Sequence, residues 1–119
     1  MAEKAAKAGA DEALTEFRTP LTLETKSNKN DLVTEVDRAV QQTVIDQIRS
    51  EFPEDSIVAE ENEGSTAVPE TGPAWTIDPI DGTANYVRGL PVWATSVGVV
   101  RAGEPIGGAT VLPALGDVY

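Results

Sequence analysis

The 119-residue sequence predicts an α+β fold in which two helices pack on a largely antiparallel sheet. Two stretches in the first half repeat apolar residues at helical spacing. From residue 56 onward, short apolar and β-branched segments alternate with turns that contain Gly or Pro, which is typical of strands. The length suits one domain, and a hydrophobic content of 40% is enough to bury a core.

Composition excludes several classes of function. The chain has no cysteine and no histidine, which rules out disulfides, thiolate zinc sites and catalytic triads that use histidine. Its net charge of −11, from 20 acidic and nine basic residues, argues against a nucleic-acid partner. No apolar run approaches a membrane span or a signal peptide. We therefore expect a cytoplasmic protein with no membrane partner, acidic enough to suit a salt-loving organism.

The first and the longest predicted elements are helices. Residues 3–17 are rich in Ala, Glu and Lys, and Gly9 either weakens this helix or allows close packing. The second helix is predicted to end near Glu51, because Pro53 cannot continue it. The apolar positions are Ala6, Ala10, Ala13, Leu14 and Phe17 in the first helix, and Val36, Val40, Val44, Ile48 and Phe52 in the second.

The segment between these helices is polar. Residues 21–26 are predicted as a short strand and residues 27–31 as an exposed loop. Thr34 and Asp37 have the spacing of a capping box, with Asp in place of the usual Glu. From the residues alone, Lys26 is solvated surface, and two roles stay open for Asp37: a cap of the second helix or a metal-related role.

The second half of the sequence predicts strands. A short buried strand over residues 56–59 leads to Glu60 and Glu61, which as adjacent carboxylates at a strand end are ordinarily solvated. Residues 62–72 are predicted as a surface excursion. The remaining predicted features are a strand from Trp75, strands over 92–100 and 106–112, and a strand from Asp117. A hairpin-like turn is predicted at Gly103-Glu104, and a bulge or close approach at Gly107 and Gly108.

The most informative stretch is W-T-I-D-P-I-D-G-T-A-N-Y, residues 75–86. Asp78 and Asp81 supply carboxylate oxygens, which are the ligands that a hard divalent cation prefers. The two residues could share one cation or hold two. Pro79 fixes its own φ and so limits where the second carboxylate points.

The end of this stretch indicates a phosphate site. Gly82 allows the backbone to pass close to a ligand, and a helix that starts near Thr83 would direct its first N–H groups to the same place. Metal ions beside a phosphate cradle indicate metal-assisted phosphoryl transfer to water. The alternative is a strand followed by a turn, since Asp-Pro and Asp-Gly are common turn dipeptides.

The complete string resembles the W-x-x-D-P-x-D-G-T-x-N-[FY] signature of the inositol monophosphatase family, within the sugar-phosphatase group that includes fructose-1,6-bisphosphatase. The similarity continues through Gly89 and Pro91. Lys26, the D-L-V-T segment and Asp37 resemble the family's K-x-x-x-x-D-x-V-T-x-x-D. Residues 52–61 resemble F-P-x-x-x-I-x-G-E-E, with Ala59 where relatives mostly have Gly. The resemblance implies a layered αβαβα fold, with residues 1–119 as the N-terminal portion of one domain whose second half is absent.

The resemblance also implies roles for individual residues. The implied ligands of Mg²⁺, two or three ions in the complete enzyme, are Glu60, Asp78, Asp81 and the carbonyl oxygen of Ile80, with Glu61 just behind them. The implied catalytic residues are Glu60, Thr83, Asp37 and Lys26; Thr83 and Glu60 would orient the attacking water and accept its proton. The implied phosphate-binding groups are the backbone N–H groups of Gly82 and Thr83.

The function implied by the resemblance is magnesium-dependent hydrolysis of a phosphate monoester of a small polyol or sugar by a metal-activated water. Relatives use inositol monophosphate, fructose 1,6-bisphosphate, histidinol phosphate or 3′-phosphoadenosine 5′-phosphate, commonly as homodimers. The family's second half, with its W-D-x-A-A-G segment, is not in these 119 residues, so we expect weak or no turnover from them alone. Two alternatives stay open: a non-catalytic metal- or phosphate-binding module, and an acidic interaction domain in which D-P-x-D is only a turn.

Overall fold

The computed structural model describes residues 1–18, 29–59 and 72–119, and in the second range it describes side chains from residue 35. Lys26, Glu60, Glu61, the predicted strand over 21–26 and most of the predicted excursion lie outside these ranges. The elements, in chain order, are helices α1 (Ala2–Glu16) and α2 (Lys29–Glu51), strands β1 (Ser56–Ala59) and β2 (Pro73–Asp81), helix α3 (Thr83–Val87), and strands β3 (Ala94–Arg101), β4 (Glu104–Leu112) and β5 (Asp117–Val118).

Within the described ranges the strands form one sheet with the order β1-β2-β3-β4-β5. β1 pairs with β2 in parallel, and each later pair is antiparallel. The hairpin turn that joins β3 to β4 is formed by Ala102 and Gly103, one residue earlier than predicted, and their φ angles are 53° and 80°. Two positive φ values in a two-residue loop match the twist of the flanking strands. The α+β prediction, with helices on a largely antiparallel sheet, is confirmed.

Helix α1 packs through small side chains. Ala5, Ala6, Ala10 and Ala13 are fully buried against α2 and the sheet. A Cβ on Gly9 would lie 2.6 Å from Val44 Cγ2. Of the two roles that the sequence allowed for Gly9, the structure therefore supports close packing of α1 on α2. Leu14 was expected on the same face but is 39% exposed, because it follows Ala13 by about 100° around the helix.

Helix α2 begins earlier than the sequence predicted. It starts at Lys29, so residues 29–31 are helical rather than part of a loop. Thr34 and Asp37 then both lie inside the helix, and the capping-box prediction is wrong because an N-cap must precede the first turn. The predicted end at Glu51 is confirmed. No helix in the described part of the chain is both long and apolar enough to cross a membrane.

Buried residues form two clusters between the helices and one face of the sheet. The larger cluster joins α1 and α2 to the middle of the sheet. The smaller cluster contains Ile80, Tyr86 and Trp93, packed on Ala13, Val36 and Val40 of the helices. Tyr86 and Trp93 meet edge to face with ring centroids 4.9 Å apart, a geometry that aromatic rings prefer. This smaller cluster lies between the D-P-I-D-G-T stretch and the helices, and it holds the stretch through Ile80.

Candidate active site

Strand β2 positions both aspartates of the signature. Asp78 is partly buried within the strand, and Asp81 is its exposed last residue. Asp78 pairs with Ser96 and Asp81 pairs with Ala94, so β2 has two residues between the pairs where β3 has one. The side chain of Ile80, between the aspartates, is 3% exposed and packs in the smaller cluster. The aspartates are therefore anchored through the residues between them.

Gly82 joins the end of β2 to α3 and is required there for two reasons. Its φ is 91°, in the left-handed region that side chains rarely adopt. A Cβ at this position would also lie 3.0 Å from the carbonyl oxygen of Val92. Helix α3 starts at the next residue, Thr83, as the sequence predicted. The backbone therefore turns directly from the second carboxylate into the first turn of a helix.

Side-chain hydrogen bonds fix both ends of this turn. Thr83 Oγ1 donates to the carbonyl oxygen of Ile80 at 3.1 Å, which links an implied catalytic hydroxyl to an implied metal ligand. Asn85 Nδ2 donates to the carbonyl oxygen of Val92 at 2.8 Å. Arg18 Nε donates to the carbonyl oxygen of Gly89 at 2.8 Å. The end of α1 is thereby tied to the loop that follows α3.

Asp37 lies on α2 and is 7% exposed, so it is a buried carboxylate rather than a surface cap. Its neighbour in the fold is Tyr86, whose hydroxyl donates to the carbonyl oxygen of Ala13 at 2.8 Å. Burial, together with the negative charges of Glu16 and Asp37, raises the pKa of the Tyr86 hydroxyl above its ordinary range. Tyr86 is in α3, one turn after Thr83, so the Asp37 carboxylate lies close to the helix that carries the implied catalytic hydroxyl.

The remaining implied residues, Lys26, Glu60 and Glu61, lie outside the described residues. The register of β1 is described up to Ala59. Ala59, the residue before Glu60, pairs with Ile77, the residue before Asp78. Because β1 and β2 are parallel, their carboxyl ends meet at the same edge of the sheet.

The donor set of the described residues suits a hard cation but is incomplete. Asp78, Asp81 and the Ile80 carbonyl are all oxygen donors, the type that Mg²⁺ binds. The carbonyl has a second lone pair beyond the one that accepts from Thr83. Among the side chains that the structure describes, no three acidic groups come together to hold a metal ion. A third carboxylate would have to come from elsewhere in the chain, and Glu60 is the one that the sequence implies.

The two aspartates line different hollows. Asp78 borders a groove of about 270 Å³ on the face of the sheet that includes Thr76, Ser96 and Gly98. Asp81 and Gly82 border a second hollow of about 330 Å³, which also involves Trp93.

Comparison with known proteins decides the family. The sequence matches the inositol monophosphatase family over residues 1–119. The chain belongs to the inositol monophosphatase family. The prediction from the signature residues is thereby confirmed.

Curated relatives in this family differ in their named substrates. The chain is 45% identical over 84 residues to inositol-1-monophosphatase of Bacillus subtilis, covering 71% of this chain and 32% of that protein. It is 43% identical to the fructose-1,6-bisphosphatase/inositol-1-monophosphatase of Thermotoga maritima, covering 80% and 36%. It is 45% identical to a histidinol-phosphatase of Mycobacterium tuberculosis, covering 70% and 31%. The chain thus spans about one third of the length of these relatives.

A solved structure supports the fold. Inositol monophosphatase II of Staphylococcus aureus superposes with a TM-score of 0.81 and 29% identity, covering 99% of this chain and 43% of that one. The helices and the mixed sheet described here are therefore part of the sugar-phosphatase fold.

Sequence reasoning missed two hydroxyl groups that hold the signature in place. Thr95 is fully buried, and its Oγ1 donates to the carbonyl oxygen of Pro79 at 2.8 Å. Tyr86 is the last residue of the signature, and the signature does not indicate that its hydroxyl links α3 to α1. The available signal for Thr95 was a hydroxyl in an otherwise apolar strand.

Proposed function

We propose that this chain is the N-terminal portion of a magnesium-dependent phosphatase that hydrolyses a phosphate monoester of a small polyol or sugar. The observation that carries the proposal is the path of the backbone from Asp78 through Asp81 and Gly82 into α3. Two carboxylates, a backbone carbonyl and the first amides of a helix follow one another at one edge of the sheet. Family membership supports the same reaction class.

In this proposal Asp78, Asp81, the Ile80 carbonyl and Glu60 would hold Mg²⁺. The ion, when bound, would lower the pKa of water and offset the charge of the phosphate. The pairing of Ala59 with Ile77 supports the inclusion of Glu60, because it brings the end of β1 beside Asp78.

The chain's own groups would orient the water and the phosphate. The Thr83 hydroxyl donates to Ile80, which leaves its lone pairs to accept a hydrogen bond from the attacking water. Glu60 would accept the proton of that water, and Lys26 and Asp37 would help to place it. The amides of Gly82 and Thr83 would bind phosphate oxygens. Helix α3 has only five residues, so individual N–H groups rather than a helix dipole would carry this interaction.

The partner in this proposal is a small phosphorylated polyol or sugar, and the protein would be cytoplasmic and would assemble as a homodimer. Residues 1–119 would form one part of a single domain, since the chain spans about a third of its curated relatives. Inositol 1-phosphate, fructose 1,6-bisphosphate and histidinol phosphate are the substrates to test first, because relatives are named for them.

The test is release of inorganic phosphate from these three esters, with and without Mg²⁺, and the Bacillus subtilis relative serves as a positive control. We expect weak, magnesium-dependent release by the chain, abolished by Asp81→Asn because that change removes one carboxylate charge. Calorimetry should show Mg²⁺ binding that Asp81→Asn weakens by more than about tenfold.

The other outcomes select the alternatives. Because weak or no turnover is expected of residues 1–119 alone, the assay is repeated with a chain extended through the family's second half, and Mg²⁺ binding without turnover by either protein would favour a non-catalytic metal-binding module. Equal Mg²⁺ binding by the chain and by Asp81→Asn would contradict the proposed site and favour an acidic interaction domain.

A further inference from the structure

The metal-binding stretch contains an irregularity in the pairing of β2 with β3. Asp78 pairs with Ser96 and Asp81 pairs with Ala94, so Pro79 and Ile80 together lie opposite one residue, Thr95. One extra residue in a strand is a β-bulge, which bends the strand and re-aims its side chains. This bulge therefore sets the relative direction of the two carboxylates.

A bulge leaves backbone groups outside the regular ladder, and a buried carbonyl without a donor is costly. Pro79 has no N–H group and its side chain is fully buried. The carbonyl oxygen of Pro79 accepts a hydrogen bond from Thr95 Oγ1 at 2.8 Å. Thr95 itself is 0% exposed, so water does not compete for either group.

The methyl branch of Thr95 packs against helix α1. Its Cγ2 would lie 3.3 Å from a Cβ placed on Gly9, so the methyl group fills the space that this glycine leaves in α1. A valine has nearly the same shape as threonine and could fill the same space. Packing therefore explains why residue 95 is β-branched. The hydrogen bond to the bulge explains why it carries a hydroxyl.

We propose that Thr95 is a positioning residue for the divalent cation: its hydroxyl, by holding the Pro79 carbonyl, fixes the bulge that aims Asp78 and Asp81. This inference rests on the proposed metal site. It extends that site to a buried residue on a different strand, which touches neither the cation nor the substrate. Groups that orient metal ligands commonly change metal affinity about tenfold or more when they are removed.

The test measures Mn²⁺ binding to the 119-residue chain, because Mn²⁺ takes the same oxygen ligands as Mg²⁺ and free Mn²⁺ is counted by electron paramagnetic resonance. The variants form two matched pairs. In the first pair, wild type and Thr95→Val have nearly the same shape, and only wild type has the hydroxyl. In the second pair, Thr95→Ser and Thr95→Ala both lack the methyl branch, and only Thr95→Ser has the hydroxyl. Asp81→Asn lacks a carboxylate of the proposed site, so the Mn²⁺ that it still binds measures binding elsewhere on the chain. Circular dichroism confirms that each variant is folded.

We expect Thr95→Val and Thr95→Ala each to bind Mn²⁺ about tenfold more weakly than its hydroxyl-bearing partner, with Thr95→Ser within about twofold of wild type. Amide chemical shifts of Ile80 and Asp81 should move in the two hydroxyl-free variants only. Equal affinity within both pairs, or an equal loss in all three variants, would overturn the inference while leaving the metal site in place. Binding by wild type no stronger than by Asp81→Asn would instead remove the proposed site, and the inference with it.

Discussion

Single hydroxyl groups connect the helices to the site. Tyr86 lies in the short helix after the signature, and its hydroxyl donates to the carbonyl oxygen of Ala13 near the end of α1. Its ring lies against Trp93 and Phe17, with centroids 4.9 Å and 5.4 Å away. One hydrogen bond thus joins α1 and α3 through two residues that are 73 positions apart in sequence.

Tyr86→Phe tests this link and has a defined dependence on pH. The variant keeps the ring and should lose about 1 kcal/mol of stability at neutral pH with the hydrogen bond. Burial and two nearby carboxylates raise the pKa of Tyr86 in the folded protein, so the folded state prefers the neutral hydroxyl. Its stability contribution is therefore complete below the unfolded pKa of about 10 and is lost as pH rises above it.

Urea unfolding of both proteins at pH 7 and at several values above 10 provides the measurement. Lysine titration affects both proteins alike and cancels in the difference. The advantage of wild type should shrink above pH 10, by up to about 1.4 kcal/mol per pH unit. A difference that does not change with pH would show that the Tyr86 hydroxyl is not held in its neutral form.

At the scale of elements, α1 approaches its neighbours closely because its inner face is built from alanines and Gly9. A Cβ on Gly9 would come within 2.6 Å of Val44 and 3.2 Å of Val40. This approach lets one thin helix contact both α2 and β3. It also brings the methyl group of Thr95 against α1. Thr95 therefore both packs against this helix and, through its hydroxyl, supports the site.

Gly9→Ala should destabilise the protein, although the same change in an exposed helix stabilises by up to about 1 kcal/mol. We expect a loss of about 1–3 kcal/mol by chemical denaturation, because the added methyl overpacks the interface. The matched control is Gly9→Ala in a Val44→Ala background, where the shortest contact, the one with Val44 Cγ2, is absent. A loss of the same size in both backgrounds would mean that Val44 does not limit the approach.

At the scale of the whole molecule, the net negative charge affects the stability of the fold. The net charge of −11 on 119 residues implies repulsion between like charges in the compact state. Raising KCl from about 0.01 M to about 1 M shortens the Debye length from about 30 Å to 3 Å, so most of this repulsion should be screened.

We therefore expect the midpoint of thermal unfolding to rise with KCl, as a protein suited to high salt would require. Lys7→Glu is a useful comparison, because Lys7 is exposed and forms a surface pair with Glu3 at 2.9 Å. This variant is more acidic and should depend more steeply on salt. A midpoint that is independent of KCl in both proteins would show that self-repulsion does not limit stability.

Much of the fold and the chemistry of the candidate site could be predicted from local sequence. The helices of the first half, β1 at residues 56–59, the turn at Gly103 and the start of α3 follow from spacing and turn residues, which act over a few positions. The motif of residues 75–86 was also readable from the sequence, because its carboxylates and its glycine are neighbours along the chain. It identified the family.

The tertiary structure decided what depends on contacts between distant segments. The exposure of Leu14 and the close approach at Gly9 depend on how α1 meets α2 and the sheet. The bulge at Pro79 and Ile80 depends on the register of β3, and its stabilising hydroxyl comes from Thr95, 16 residues later. The spacing of residues within β2 does not by itself fix its register with β3, because the register also depends on which face of each strand the core buries. The residues alone therefore defined which groups could bind a cation, and the folded sheet determined how those groups are aimed.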